Sequence, residues 1–138
     1  MPGLPLITVD HEAVLRAWAR SLDLNGATGR VFFAVPDDPA WPLVVLRPIS
    51  APPDPMLPVI YARVEWSIWG APGRGREIAS DIANILAAAT KSVAWRHPGT
   101  GAFVDDGQVS SGPSPRPDVE AHQMRYTIDA VYAVRPGG

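Results

Sequence analysis

One continuous stretch, residues 59–91, constrains the fold most strongly because it combines a strand, a tight corner and a helix. Its first part alternates, with one side wholly apolar: Ala62, Val64, Trp66 and Ile68. Since successive side chains of a strand point to opposite faces, this pattern predicts a strand with one face in a core. Gly70-Ala-Pro-Gly73 predicts a turn. The residues after it predict a helix whose apolar face packs on the sheet, formed by Ile78, Ile82, Ile85, Leu86, Ala89 and Val93.

A second amphipathic helix is predicted near the amino terminus, from Asp10 to Leu22. Its apolar residues recur at every fourth position and form one stripe: Val14, Trp18 and Leu22. The Asp10 carboxylate can accept a hydrogen bond from an unpaired backbone N–H at the start of the helix. Asn25-Gly26 tolerates the left-handed conformation that ends many helices.

Further segments have the composition of strands. Residues 30–35 are β-prone, and residues 43–47 are so uniformly apolar that burial on both faces is expected. Residues 102–111 predict either two short strands around an Asp-Gly turn or a single bent strand. The longest alternating segment is 122–135, with one apolar face: Met124, Tyr126, Ile128, Ala130, Tyr132 and Val134.

Two proline-rich segments, residues 48–58 and 112–121, are predicted to be surface loops, because proline cannot donate a hydrogen bond to a strand ladder. Short loops between the other strands favour antiparallel pairing. We therefore predict an α+β fold with a mostly antiparallel sheet of about four to five strands and two helices packed on one face. Residues 1–138 are expected to form a single domain.

Composition argues against several classes of protein. The chain has no cysteine, and so no disulfide framework, cysteine-based zinc site or thiol nucleophile. Its formal net charge of −2 argues against nonspecific binding to DNA or to anionic membranes, which requires a basic face. No apolar run approaches the roughly 18 residues of a membrane span, and the amino terminus lacks the basic region of a signal peptide. We expect a soluble, non-secreted protein, or one that acts inside a particle.

No group of residues has the pattern of a catalytic, cofactor or metal site. Gly73-Arg-Gly-Arg-Glu77 lacks both the Gly-Lys-Ser/Thr ending of a phosphate loop and the third glycine of a dinucleotide fingerprint. A turn with two solvated arginines is favoured, with a partner-binding basic corner as the alternative. The histidines lie in separate segments without metal-ligand spacing, and Asp37-Asp38 and Asp105-Asp106 fit turns. We therefore predict a protein that is not an enzyme and binds no cofactor.

Aromatic and arginine side chains outside the predicted core point to contacts with other proteins, because interfaces are enriched in them. Trp18 and Trp66 lie on core stripes, whereas Trp41, Trp69 and Trp95 do not. Burial under a loop is an equal alternative for these three. The candidate interface residues are Trp41, Arg63, Glu65, Trp69, Arg74, Arg76 and Arg116.

A resemblance to a known family is carried by segments in order along the chain. After the amino-terminal helix come Gly29-Arg-Val-Phe-Phe-Ala-Val-Pro36, Pro42-Leu-Val-Val-Leu46, Ala62-Arg-Val-Glu-Trp-Ser-Ile-Trp-Gly70, an Ala-rich helix, Val109-Ser-Ser-Gly-Pro113 and Arg125-Tyr-Thr-Ile-Asp-Ala-Val-Tyr-Ala-Val-Arg-Pro136. Together they resemble the tail terminator proteins of long-tailed bacteriophages. The resemblance covers nearly the whole chain through patterns of strands and corners rather than invariant chemistry, and it implies an α/β fold without catalytic residues.

This resemblance implies a structural virion protein. It implies a six-membered homo-oligomeric ring that caps the tail tube, stops its polymerisation and joins the tail to the head. The partners would be the major tail tube protein and a head-side connector protein, at the head-proximal end of a tail assembled in the host cytoplasm. Genome DNA would pass through the pore without specific binding. The alternatives are another head–tail connector or completion subunit and a small-ligand-binding α+β regulatory domain, with a hydrolase less favoured.

Overall fold

The fold was analysed in a computed structural model that describes residues 9–118 and 123–137. Within these ranges the helices are α1 (His11–Arg20) and α2 (Arg76–Lys91). The strands are β1 (Val31–Phe32), β2 (Leu43–Ser50), β3 (Ile60–Trp69), β4 (Trp95–Arg96), β5 (Phe103–Asp118) and β6 (Gln123–Arg135). Neither helix is long and apolar enough to cross a membrane.

Both predicted helices are present, and the predicted amino-terminal cap of α1 is confirmed. The Asp10 carboxylate caps α1 by accepting a hydrogen bond of 3.0 Å from the backbone N–H of Ala13. The predicted end of α1 was wrong, because the helix ends at Arg20 with Ser21 as its cap. Asn25 and Gly26, both with positive φ values, form a turn further along the chain. The buried face of α2 differs from the prediction, because Ile78 is 43% exposed. Ala79, Ala83 and Ala87 are buried instead, which lets the helix approach the sheet closely.

The six strands form one sheet in the order β1-β2-β3-β6-β5-β4. The α+β class is confirmed, but the predicted four to five strands in a mostly antiparallel sheet are corrected to six strands in a mixed sheet. β1 pairs with β2 in parallel, and the other pairs are antiparallel. The parallel pair arises because residues 33–42 carry the chain back to the end of the sheet where β1 began. β1 and β4 have only two residues each, too few for an alternating pattern to appear in a sequence.

The proline-rich segments were only partly predicted correctly. β2 runs through Pro48 to Ser50, and β5 continues through three prolines to Asp118. β5 is therefore the single bent strand rather than the hairpin, with register shifts after Val104 and on both sides of Ser111. These irregularities bend the strand while preserving its pairing with β6. Residues 119–121 of the second segment, and His122 at the start of the last predicted strand, lie outside the described residues.

The predicted inner face of the sheet is confirmed. The even-numbered residues of β3 from Ala62 to Ile68 are at most 1% exposed and belong to one cluster with residues of both helices. Within this core the indole N–H of Trp66 donates to the hydroxyl of Tyr132 at 2.8 Å, and the hydroxyl of Thr90 lies 2.6 Å from the same oxygen. The three side chains satisfy one another, so a polar group is buried without an unpaired donor.

Candidate interaction surface

The outer face of the sheet, opposite both helices, carries a polar row that runs across four strands. Glu65 on β3 accepts from Arg47 on β2 at 3.1 Å and stands opposite Asp129 on β6. Asp129 in turn accepts from the hydroxyl of Ser111 on β5 at 2.7 Å. The predicted interface residue Glu65 is therefore fixed in an ion pair on an accessible sheet face, where it can meet a partner without first being ordered.

One end of this outer face is aromatic and basic. The rings of Trp41 and Trp69 lie 6.4 Å apart, and the guanidinium of Arg125 lies 5.0 Å from the Trp69 ring centroid. Arg116 stands opposite Arg125 in the β5–β6 register and is exposed. Leu43 belongs to the same face by its register, but it is fully buried. Cation–π contacts of this kind hold an arginine in place while leaving its N–H donors available.

Beside this aromatic end lies an open depression of about 350 Å³. It is lined by Val35, Val45, Arg47, Glu65, Ser67, Trp69 and Arg125. The structure thus brings together four of the predicted interface residues on the outer face of the sheet: Trp41, Glu65, Trp69 and Arg116. Arg63 lies further along the same face of β3 and is exposed. Trp95 is half-buried on the edge strand β4, with its ring 5.7 Å from that of His97.

The corner between β3 and α2 holds the two remaining predicted residues, Arg74 and Arg76, both exposed. Gly70 and Gly75 pack so closely that a Cβ atom on Gly70 would lie 2.5 Å from the Gly75 carbonyl oxygen. Gly75 precedes α2 with a φ of 95° and provides no side-chain cap. Arg76 therefore places a positive charge on the first turn of a helix, where the macrodipole disfavours it. Local stability does not explain this arginine.

The loop between β2 and β3 exposes apolar side chains that the sequence analysis did not single out. Asp54 organises this loop: its carboxylate accepts from the backbone N–H groups of Met56 and Leu57 at 2.8 and 2.9 Å and from the Tyr61 hydroxyl at 2.6 Å. These hydrogen bonds hold the pKa of Asp54 below its usual value and raise that of Tyr61. At the tip, Met56 is 87% exposed and Leu57 is 58% exposed.

The open edges of the sheet are poorly suited to pairing with a further strand. The backbone N–H of Val44 donates to the Arg30 carbonyl on the β1 side at 2.9 Å. The even-numbered residues of β2 therefore direct their backbone N–H and C=O groups away from β3, toward the open edge. Pro48 has no N–H to offer at that edge. On β5, Pro115 and Pro117 are paired with β6 although neither has a backbone N–H. The positions at which these N–H groups are missing therefore face the open side of the strand. Proline at an edge blocks strand addition, which leaves faces and loops for contacts with other proteins.

Sequence reasoning missed Arg125 and the Met56–Leu57 tip. Arg125 could have been found from the alternation of β6, where it falls opposite in phase to the core residues Met124 and Tyr126. The exposed tip had no such signal, because apolar residues among prolines fit a buried loop equally well. Among the described residues, no three histidine, aspartate or glutamate side chains cluster as metal ligands would.

Comparisons with known proteins bear on this arrangement. A family model described as tail completion protein gp17 matches residues 12–133. Among solved structures, the chain is similar to one described as the virion of a native gene transfer agent (GTA) particle. That match has a TM-score of 0.64 and 19% identity, and covers 95% of this chain and 100% of the other. A similarity at this level of identity shows a shared fold. No curated protein sequence matches.

The family match includes both helices except the first residue of α1, and all six strands except the last two residues of β6. It therefore covers the inner core, the outer sheet face and the corner before α2 together. On this basis the chain belongs to the tail completion protein gp17 family, whose members are structural proteins of the phage tail.

Proposed function

We propose that this protein is a tail terminator, which forms a six-membered ring on the head-proximal end of the tail tube. The ring stops further addition of tube subunits and provides the surface to which the head-side connector binds. The observation that supports this proposal is the match to a tail completion family over residues 12–133. A protein that completes a tail is expected to act at the end of the tube or at its joint with another part.

The surface chemistry is consistent with a subunit that contacts several proteins. In the proposal, the aromatic and basic end of the outer face (Trp41, Trp69 and Arg116) and the polar row that begins at Glu65 meet the tube protein or the connector, while Arg63 is left for contacts between subunits. Tryptophan and arginine side chains that are already held in place lose little conformational entropy when they bind, which favours them as anchors of an interface. The exposed corner of Arg74 and Arg76 provides a second contact.

The proposed ring must allow genome DNA to pass without holding it. With a net charge of −2 on each chain, six copies together are acidic. An acidic assembly does not gain the counterion-release free energy that holds basic proteins on DNA. The pore is therefore expected to conduct the genome without specific binding, in a virion component that is assembled in the host cytoplasm.

The proposal can be tested by omitting this protein from particle assembly. Particles assembled without this chain should give tail tubes of uncontrolled length that do not attach to heads, because nothing ends polymerisation or presents a joint. Adding the purified chain during assembly should restore tubes of uniform length. Electron micrographs measure both tube length and attachment. Normal tube lengths in its absence, with only head attachment lost, would instead assign the chain to the alternative role of a connector subunit.

Charge reversal at the corner is expected to impair assembly without impairing folding. In the Arg74→Glu, Arg76→Glu variant, the new carboxylate at residue 76 lies on the first turn of α2, where the helix macrodipole favours a negative charge. Circular dichroism and the unfolding midpoint should therefore be unchanged or slightly improved. Joining of tails to heads should nevertheless fall at least tenfold in a plaque or transfer assay. Wild-type assembly by this variant would show that the corner is only a solvated turn.

A further inference from the structure

Two apolar surfaces, one projecting and one recessed, lie at the same end of the sheet. One is the knob, defined as Met56 and Leu57 at the tip of the β2–β3 loop. The other is the apolar pocket, defined as the cavity of about 330 Å³ whose apolar lining comes from Val9, Ala13, Val14, Ala102 and Pro136. We infer that the knob of one copy inserts into the apolar pocket of the next copy. This inference rests on the proposed ring and specifies how its subunits join.

The knob has the properties of an inserted anchor. Its two apolar side chains are 87% and 58% exposed, although large apolar groups in this position gain nothing from contact with water. Its backbone is fixed in advance by Asp54, which accepts from the N–H groups of both residues. A preformed loop does not have to be ordered when it binds, so more of the free energy of apolar burial is available to the contact.

The apolar pocket is a suitable receptor. Val14 and Ala102 at its base are each 3% exposed, and Ala13 and Pro136 are half-buried at its walls. His97 and Thr100 contribute polar groups at the rim. Its volume is at the lower end of the range for sites that bury a small organic group, and is large enough for a side chain such as leucine or methionine.

The positions of the two surfaces favour a ring over an open filament. Ile60, which follows the knob loop, and Val104, which follows the pocket residue Ala102, both stand opposite Val134 on β6. The knob and the apolar pocket therefore lie at the same level along the strands. The knob is in the β2–β3 loop, and the apolar pocket lies between the start of α1, the chain before β5 and the residues after β6. When a head-to-tail contact involves no shift along the strand direction, successive copies are related by rotation alone. The copies close into a ring if this rotation is a whole fraction of a full turn.

The charges beside the two surfaces are also complementary. Arg63, next to the knob on β3, forms no ion pair with the residues that the structure describes. On the other side of the sheet, Asp106 is exposed and likewise has no ion-pair partner in the described ranges. Asp10 lies in the wall of the apolar pocket. Opposite charges on two contacting surfaces favour the correct orientation of the subunits.

Because the chain has no natural cysteine, cross-linking of introduced cysteines can test this contact without background from other thiols of the same chain. Particles are assembled with the Leu57→Cys, Ala13→Cys variant and treated with a short bis-maleimide. The inference predicts a covalent ladder of oligomers that ends at the size of the ring. Particles assembled from a mixture of the two single variants should give a covalent dimer, which excludes cross-links within one chain as its origin.

The controls make each outcome decisive. Each single variant alone should remain monomeric, since a head-to-tail contact never places two copies of the same residue together. The Leu57→Cys, Ile78→Cys pair, with a partner on the exposed side of α2, should also remain monomeric. Dimers from Leu57→Cys alone would overturn the inference in favour of a symmetric contact. No ladder in particles that contain a ring would overturn the inference, because the knob would then not lie in the apolar pocket of the next copy. A ladder in tails that carry the chain along their whole length would refute the terminator proposal and leave the contact standing.

Discussion

Replacing Trp66 by alanine is expected to lower the free energy of unfolding by about 3–5 kcal/mol. Trp66 is fully buried on β3, and its ring centroid lies 6.2 Å from that of Trp18 and 6.3 Å from that of Tyr132. The substitution removes contacts with α1 and with β6, and also the indole donor to Tyr132. Denaturant unfolding of the purified chain should show a lower midpoint with an unchanged slope.

Arg63→Ala is the matched control, because it lies on the same strand but on the outer face. Arg63 is exposed and forms no ion pair within the described ranges. Its replacement should change the unfolding free energy by no more than about 0.5 kcal/mol. Equal losses in the two variants would contradict the assignment of the two faces of β3.

Tyr132→Phe is expected to cost about 1–3 kcal/mol, although it removes a single oxygen atom. The cost arises because the indole N–H of Trp66 and the hydroxyl of Thr90 both lose their partner in a site with no access to water. Tyr126→Phe is a matched control on the same face of β6, where the hydroxyl makes no hydrogen bond with other described residues. It should cost less than about 0.5 kcal/mol. Similar losses in both variants would mean that the buried network contributes nothing specific.

The Tyr132 network also predicts how stability depends on alkaline pH. Burial raises the pKa of Tyr132 above its ordinary value, so above about pH 10 the unfolded chain loses this proton while the folded chain keeps it. Stability then falls with rising pH, by up to about 1.4 kcal/mol per pH unit for this group. The Tyr132→Phe variant has no such proton to lose, so the difference in unfolding free energy between wild type and variant should shrink above about pH 10. A constant difference there would show that Tyr132 ionises equally in both states.

The parts of the fold that could be predicted are those with a local pattern. β3 and β6 alternate over ten or more residues, so the phase of burial is visible without knowing what each strand pairs with. α1 has its cap and its stripe within one short segment. β1 was predicted as a longer strand over residues 30–35, of which only Val31 and Phe32 pair in the sheet. β4 could not be predicted, because two residues have no period and pair only through contacts distant in sequence. The second half of β5, from residue 112, was mistaken for a loop because its prolines lie at the one kind of position, an open edge, where a strand tolerates them.

The types of residue that form the candidate site could be predicted from the sequence, but their arrangement could not. Residue type alone indicates that tryptophan and arginine outside the core belong to interfaces. That Trp41 stacks near Trp69, and that Arg116 stands opposite Arg125, follows only from the register of strands far apart in the chain. The Met56–Leu57 knob depends on the fold of a loop around Asp54, for which the sequence carries no periodic signal.

The position and copy number of this chain in assembled particles test the central proposal most directly. Cryo-electron microscopy of complete particles, with symmetry determined at the head–tail junction, measures both quantities. The proposal predicts one ring of six copies between the last ring of the tube and the head-side connector, and none elsewhere. Copies distributed along the tube, or a junction from which this chain is absent, would contradict it.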